Sequence, residues 1–203
     1  MVQPKYWFGI LSEKGQLEQE IEKELIDRIK NNPAQFGILF DAHYSGIFNY
    51  ILRRVGDYDR AKDISSETFL KAFLNIGKFK WKGISISFWL YRIAGTEVLQ
   101  SFRKGKYAPD SLNTLIETTG WDMTDYESTP EKKLQIEREL KQDEDFILVQ
   151  QAIKSFPIVY QEVLALRYFE QKSVKEIAAI LDKKEGTVKS LLSRGIEKLR
   201  NVL

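Results

Sequence analysis

The sequence predicts an all-α protein of two helical domains joined by an acidic linker, with a helix-turn-helix in the C-terminal domain. Apolar residues recur at three- and four-residue spacing along most of the chain, which is the period of an amphipathic helix. No alternating apolar run of useful length occurs, so no sheet is expected. Residues 107–129 contain five acidic residues and no basic one, which is typical of a linker.

Composition excludes several classes of function. The chain has no cysteine, which excludes disulfides and thiolate metal sites and fits a reducing cytoplasm. It has no Walker loop, no GxGxxG and no paired-histidine spacing, and its single histidine, His43, has no triad partners nearby. No apolar run approaches the length of a membrane span. We therefore expect a cytoplasmic protein that is not an enzyme, with no catalytic residue, metal, cofactor or small-molecule substrate.

Charge is divided between two basic blocks. Residues 34–106 contain twelve basic and six acidic residues, and residues 151–203 contain ten basic and six acidic ones. The acidic stretch over 107–129 lies between them. This pattern indicates contact with a polyanion in two places, although either block alone could be an ordinary solvated surface.

The stretch Ser173–Arg194 has the pattern of a helix-turn-helix. Ser173 and Glu176 form a capping box, and the apolar residues that follow lie on one helical face. After a turn, a second helix from about Gly186 carries a polar face, formed by Lys189, Ser190, Ser193 and Arg194. A face of cations and hydroxyl groups suits the major groove. The alternative is two helices of an ordinary bundle with a solvated face.

Residues 34–106 predict three helices, over about 34–56, 59–77 and 87–104. A basic loop with interleaved aromatic residues precedes the third helix: Lys78, Phe79, Lys80, Trp81 and Lys82. Cations for phosphates and flat rings for unstacked bases are what single-stranded nucleic acid requires. The alternative is that the rings pack into the core, and we expect Trp81 to be the more exposed ring.

Sequence patterns before residue 34 and after residue 127 predict further helices. Residues 1–33 contain one helix over about 16–30, whose simplest role is to pack on the next domain. Ser128 and Glu131 form a second capping box, which predicts a helix from Pro130 to about Phe156. Pro157 then begins the helix that precedes the helix-turn-helix.

Four stretches taken together resemble the RNA polymerase sigma factors. They are Asp63–Phe73, Phe88–Ala94, Glu162–Tyr168 and the helix-turn-helix with its EIA and GTVKS sequences. The resemblance is to the extracytoplasmic-function (ECF) group of the sigma-70 family, which keeps only the second and fourth sigma domains. It implies an N-terminal extension (1–33), a second sigma domain (34–106), a linker (107–129) and a fourth sigma domain (130–203).

The resemblance also implies partners and three sets of site residues. Core RNA polymerase, through the clamp helices of its β′ subunit, would contact Asp63, Ser66, Glu67 and Phe69. The −10 element of promoter DNA would contact Lys78, Phe79, Lys80, Trp81, Lys82, Thr96 and Gln100. The −35 element would contact Thr187, Lys189, Ser190, Ser193 and Arg194. An anti-sigma factor is an optional further partner.

The sequence departs from the family pattern at several positions. Gly95-Thr96 stand where the family usually has Arg-Asn, and Gln100 where it usually has Asp. Leu191 stands where Arg is common, and residues 182–184 lack the usual glycine and serine cap. Two other functions therefore stay open. One is a LuxR-type transcriptional regulator, which shares the EIA and TVKS pattern, and the other is a polymerase-binding adaptor that does not read DNA.

Overall fold

The computed structural model describes residues 19–81, 84–104, 134 and 144–203, and these residues form helices and no strand. The N-terminal domain contains α1 (19–31), α2 (Phe36–Val55), α3 (Tyr58–Asn75) and α4 (Ile86–Lys104). The C-terminal domain contains α5 (Glu144–Lys154), α6 (Ile158–Leu164), α7 (Val174–Leu181) and α8 (Glu185–Arg200). The all-α prediction is confirmed. The predicted linker, and the predicted helix before residue 144, fall outside the described residues.

Aromatic side chains form the centre of the N-terminal domain. The ring of Phe40 stacks on Tyr44 at 4.7 Å and lies 4.6 Å from the ring of Phe69. The helical period of residues 34–56 predicts six inward residues, and all are buried: Phe36, Leu39, Phe40, Ile47, Tyr50 and Ile51. The period of residues 87–104 likewise predicts a buried Phe102. That prediction is wrong, because Phe102 is 37% exposed and its ring lies 5.1 Å from the guanidinium of Arg60.

Helix α1 belongs to the packing of this domain. Ile26 and Ile29 are 1% and 0% exposed and lie in the same core as the residues of α2 to α4, while Lys23 and Asp27 face solvent. The interpretation of this helix as packed on the next domain is confirmed. The chain then turns through Pro33–Gln35, where the side chain of Asn32 accepts from the amide of Ala34.

The C-terminal domain packs directly on α2 and α4. Arg92 of α4 donates to the carbonyls of Ala179 and Ile180 at 2.9 and 2.7 Å. These carbonyls lie at the end of α7, where a helix has unpaired acceptors and partial negative charge. The Arg92 guanidinium is therefore well placed to satisfy them.

A second polar contact between the domains involves Glu170, which follows the π turn Ala165–Phe169. The hydroxyl of Tyr91 donates to Oε2 of Glu170 at 2.9 Å, and Nη1 of Arg53 lies 3.7 Å from Oε1 of the same carboxylate. Burial raises the pKa of Glu170, although the Tyr91 hydrogen bond and the Arg53 charge oppose that shift. These two contacts thus pair charged side chains with polar groups of the other domain.

Ile29→Ala should lower the free energy of unfolding by about 2–5 kcal/mol, because deleting a buried side chain removes its contacts and leaves a cavity. Lys23→Ala, at an exposed position of the same helix, should change it by less than about 0.5 kcal/mol. Urea unfolding of the full chain, followed by circular dichroism, measures both. An Ile29→Ala protein as stable as wild type would show that α1 is not part of the folded core.

Candidate nucleic-acid interface

The polar face of α8 is exposed along its whole length. Thr187, Lys189, Ser190, Ser193 and Arg194 all face solvent, while Val188, Leu191 and Leu192 are buried on the opposite side. The guanidinium of Arg194 lies along the helix, donating to Oγ of Ser190 at 2.9 Å. The arrangement presents a cation and hydroxyl groups on one surface, as the sequence predicts for a helix that enters the major groove.

The turn before α8 explains two of the departures from the family pattern. Asp182 has φ 54° and ψ 49°, the left-handed conformation in which glycine is favoured and aspartate is tolerated. Lys184 precedes α8 and makes no side-chain cap, and Glu185 in the first turn supplies negative charge instead. Leu191 is 7% exposed, so it packs in the core rather than facing DNA.

The basic loop lies beside a cleft of about 250 Å³. The cleft is formed by Phe79, Lys80, Ile84, Ser85, Phe88 and Trp89, and Ala179 and Asp182 of the C-terminal domain close one side. The rings of Phe79 and Trp89 lie 4.9 Å apart at 46°. The lining therefore combines flat rings with a lysine and a serine hydroxyl, which suits an unstacked base.

The loop residues differ in exposure. Lys78 and Lys80 are exposed, whereas Phe79 and Trp81 are both half-buried and pack against the core. The structure thus gives no support to a more exposed Trp81. Lys82 lies outside the described residues.

On α4, Thr96 and Gln100 lie four residues apart and so share one helical face with Arg92. Thr96 is exposed and its hydroxyl donates to the carbonyl of Arg92 at 3.0 Å, while Gln100 is half-buried. A second cleft, of about 180 Å³, is lined by Arg92, Thr96 and Gly95 together with Glu162 of the C-terminal domain. Burial raises the pKa of Glu162.

The four residues assigned to polymerase binding do not form one exposed face. Phe69 is 0% exposed and packs among Phe40 and Tyr44, and Ser66 is 2% exposed with its hydroxyl bonded to the carbonyl of Lys62. Phe69 and Ser66 therefore do not present their side chains to solvent in this arrangement, and the assignment of the four residues to polymerase binding stays a prediction. The helical period turns both toward the core of α2 to α4.

Asp63 and Glu67 are the half-exposed members of that set. Burial and the charge of Asp59 raise the pKa of Asp63. Glu67 pairs with Lys71 at 3.2 Å. Their carboxylates remain available at the surface of α3, as an acidic contact for a basic partner requires.

Metal binding and catalysis by a histidine find little support in the described part of the chain. No group of three or more His, Cys, Asp and Glu side chains there could hold a metal ion. His43 is half-buried, and burial together with the Lys172 charge lowers its pKa. No helix among the described residues is long and apolar enough to cross a membrane.

Comparison with known proteins matches both domains. The sigma-70 region 2 family model matches residues 39–107, and the sigma-70 region 4 model matches residues 146–199. Among curated proteins, the ECF RNA polymerase sigma factor SigW of Bacillus subtilis is 31% identical, over 92% of this chain and 98% of that protein. BldN of Streptomyces coelicolor, also an ECF sigma factor, is 32% identical over 89% of this chain, which spans 65% of that relative.

Solved structures agree on the fold. CnrH, in complex with the cytosolic domain of CnrY, superposes with a TM-score of 0.59 at 16% identity, covering 89% of this chain and 95% of that one. RpoE of Bartonella quintana, in complex with the anti-sigma factor NepR, gives a TM-score of 0.52 at 18% identity, covering 82% and 95%. At these identities the superpositions support the fold alone.

Two sigma regions in this order, joined on one helical scaffold, define a sigma-70-type factor. Within that family, the chain belongs to the ECF group of RNA polymerase sigma factors. Proteins of this class bind core RNA polymerase and recognise promoters, and the LuxR-type and adaptor alternatives are not favoured.

Several residues of the interface were missed by sequence reasoning. Phe88, Trp89 and Arg92 line the cleft beside the loop. The helical period of residues 87–104 instead predicts Trp89 as a core residue and gives no role to Phe88. Their sequence signal was the stretch Phe88–Ala94, which carried the family resemblance without indicating which side chains reach the cleft.

The capping box of α7 fixes the start of the helix-turn-helix, since the Ser173 hydroxyl accepts from the amide of Glu176 at 3.2 Å. Ser173→Ala should lower the free energy of unfolding by about 1 kcal/mol at pH 7, because that amide loses its acceptor. Urea unfolding measures this loss. An unchanged unfolding free energy would show that the cap does not stabilise the helix.

Glu176 should make part of this stability depend on pH. Burial raises the pKa of Glu176, but hydrogen bonds from Ser173 and the Lys172 charge outweigh it, so the pKa lies below its ordinary 4.5. A carboxyl whose pKa falls on folding stabilises the fold above its unfolded pKa, and that contribution is lost as pH falls through the folded value. Glu176→Gln should therefore reduce stability at pH 7, and this loss should become smaller as the pH is lowered from 7 to 3. A difference that stays constant between these pH values would contradict this.

Proposed function

We propose that this chain directs core RNA polymerase to promoters by dividing the work between its two domains. Helix α8 reads the −35 element in the major groove, and the loop before α4, with the cleft beside it, holds a base of the opened −10 strand. The carboxylates of α3 contact the β′ clamp helices. Catalysis belongs to the polymerase, and the protein acts in the cytoplasm without a cofactor.

The observation that carries this proposal is the pairing of two different surfaces in one chain. The exposed face of α8 offers Lys189, Ser190 and Arg194, which suit duplex DNA. The cleft of the N-terminal domain offers rings and Lys80, which suit an unpaired base. A regulator that binds only duplex DNA has no use for the second surface.

Run-off transcription with core RNA polymerase on a pool of genomic promoter fragments tests the proposal. The wild-type protein should yield discrete transcripts that are absent with core polymerase alone. Copurification with core polymerase without any transcript would favour the adaptor function instead.

An anti-sigma factor is a further proposed partner. The similar folds of CnrH and RpoE were solved in complex with the cytosolic domain of CnrY and with the anti-sigma factor NepR. Such a partner for this chain would compete with polymerase or DNA for the surfaces described above.

Lys189 and Arg194 should differ in what they contribute to −35 binding. Lys189→Ala should weaken binding to all sequences alike and reduce the salt slope by about 1, because a phosphate contact releases counterions. Arg194→Ala should instead relax preference at one base position by about 1–3 kcal/mol, because its guanidinium can pair with a guanine edge. Gel-shift titrations of the holoenzyme at several salt concentrations measure both, and identical salt slopes and specificities in all three proteins would contradict the assignment.

Neutralising Asp63 and Glu67 together, as Asp63→Asn and Glu67→Gln, should weaken binding to core polymerase about 5- to 30-fold. Each surface charge pair is worth up to about 1 kcal/mol, and neutral isosteres retain the shape of α3. Titration of labelled protein with core polymerase measures the affinity. Glu20→Gln, an exposed acid of α1, is the matched control. If the double variant binds as tightly as this control, the two carboxylates lie outside the interface.

A further inference from the structure

Helix α1 contacts both ends of the loop that joins α3 to α4, and these contacts are polar. At the α4 end, Oε1 of Glu22 accepts from the backbone amide of Ile86 at 2.6 Å and from the hydroxyl of Ser85 at 2.9 Å. At the α3 end, Nζ of Lys30 donates to the carbonyl of Phe79 at 2.8 Å. The two ends of the loop are thus tied to one helix.

Glu22 completes the start of α4. The first amides of a helix have no partner within it. Ser85, which precedes α4, accepts from the amide of Ser87 at 3.2 Å, and the Glu22 carboxylate accepts from the amide of Ile86. The carboxylate also places negative charge at the positive end of the helix, and a bond to a charged acceptor is stronger than a neutral one. A residue 64 positions earlier in the chain therefore sets where α4 begins.

The cleft beside the loop depends on both tied ends. Ile84, Ser85 and Phe88 line it at the end held by Glu22, and Phe79 and Lys80 line it at the end held by Lys30. Ile26 and Ile29, buried between these two polar contacts, anchor α1 in the core. Helix α1 consequently acts as a rigid support for the cleft walls.

We propose that Glu22, assisted by Lys30, is a positioning residue for promoter opening: it fixes the loop and the start of α4 so that the cleft is formed before the DNA strand arrives. This inference rests on the proposed function and deepens it. A preorganised site loses less conformational freedom on binding than one that must be ordered. Loosening the loop should therefore weaken capture of the unpaired strand and leave duplex reading by α8 unchanged.

The test uses the full chain bound to core RNA polymerase, on a promoter selected from genomic fragments with the wild-type holoenzyme. Permanganate reactivity of unpaired thymines measures opening, and gel shift at low temperature measures binding to the closed duplex. Glu22→Ala should reduce opening about 10-fold, the loss expected for one hydrogen bond to a charged group, with closed-duplex and core affinities unchanged. Glu22→Gln, which keeps an uncharged acceptor, should lie between Glu22→Ala and wild type.

Glu24→Ala is the matched control, because Glu24 is an exposed acid on the same helix. Phe79→Ala, which removes a ring that lines the cleft, gives a reference loss of about 5- to 150-fold. Equal opening by Glu22→Ala and Glu24→Ala overturns the inference. So does a parallel loss of opening, closed-duplex binding and core binding, since a merely structural role lowers all three with the folded fraction. A wild-type protein that opens no promoter overturns the proposed function itself, which is a separate result.

Discussion

Helix α4 is packed on two sides, with one side in the N-terminal core and the other against the C-terminal domain. The rest of the structure depends on these contacts. One side places Leu90, Ala94 and Val98 in the N-terminal core, each 0% exposed. The same side also buries Glu97, at 1% exposed, and a buried carboxylate is costly unless it is paired. Lys71 of α3 meets it at 2.6 Å. Burial lowers the pKa of Lys71, but its bonds to Glu97 and Glu67 outweigh that effect and raise it. The contact between Lys71 and Glu97 joins α3 to α4.

The position of α4 sets the geometry of the surface that is proposed to hold the −10 strand. Its first turn lines the cleft with Phe88 and Trp89, its middle carries Arg92 and Thr96, and its outer side holds the C-terminal domain. The start of the helix is fixed by Glu22. Because these features lie on one helix, α4 sets the distance between the cleft and the contact with the C-terminal domain.

Local signals in the sequence predicted those parts of the fold that depend on near neighbours. The burial of α2 and the capping box at Ser173 follow from three- and four-residue spacing, and both are present in the structure. The resemblance assigns Phe69 to polymerase binding, whereas its apolar ring favours the core, where the structure places it. The contacts of Glu22 and Arg92 could not be predicted, because their partners are backbone groups, which carry no signature in the sequence.

If α8 binds the −35 element and the N-terminal cleft binds the −10 element, as proposed, the two domains must separate when both elements are bound. Elements named −35 and −10 lie about 25 base pairs apart, which is about 85 Å of duplex at a rise of 3.4 Å per base pair. In the structure, Arg92 touches the end of α7 within hydrogen-bonding distance, and Asp182 closes one side of the cleft. The 39 residues between α4 and α5 would span at most about 140 Å if fully extended, which exceeds the distance between the two elements. The contacts that must break include hydrogen bonds worth on the order of 1 kcal/mol each, since water replaces them on opening. They also include the apolar packing through which buried residues of both domains form one cluster. The gain from binding polymerase and DNA at two places has to exceed the sum of these costs.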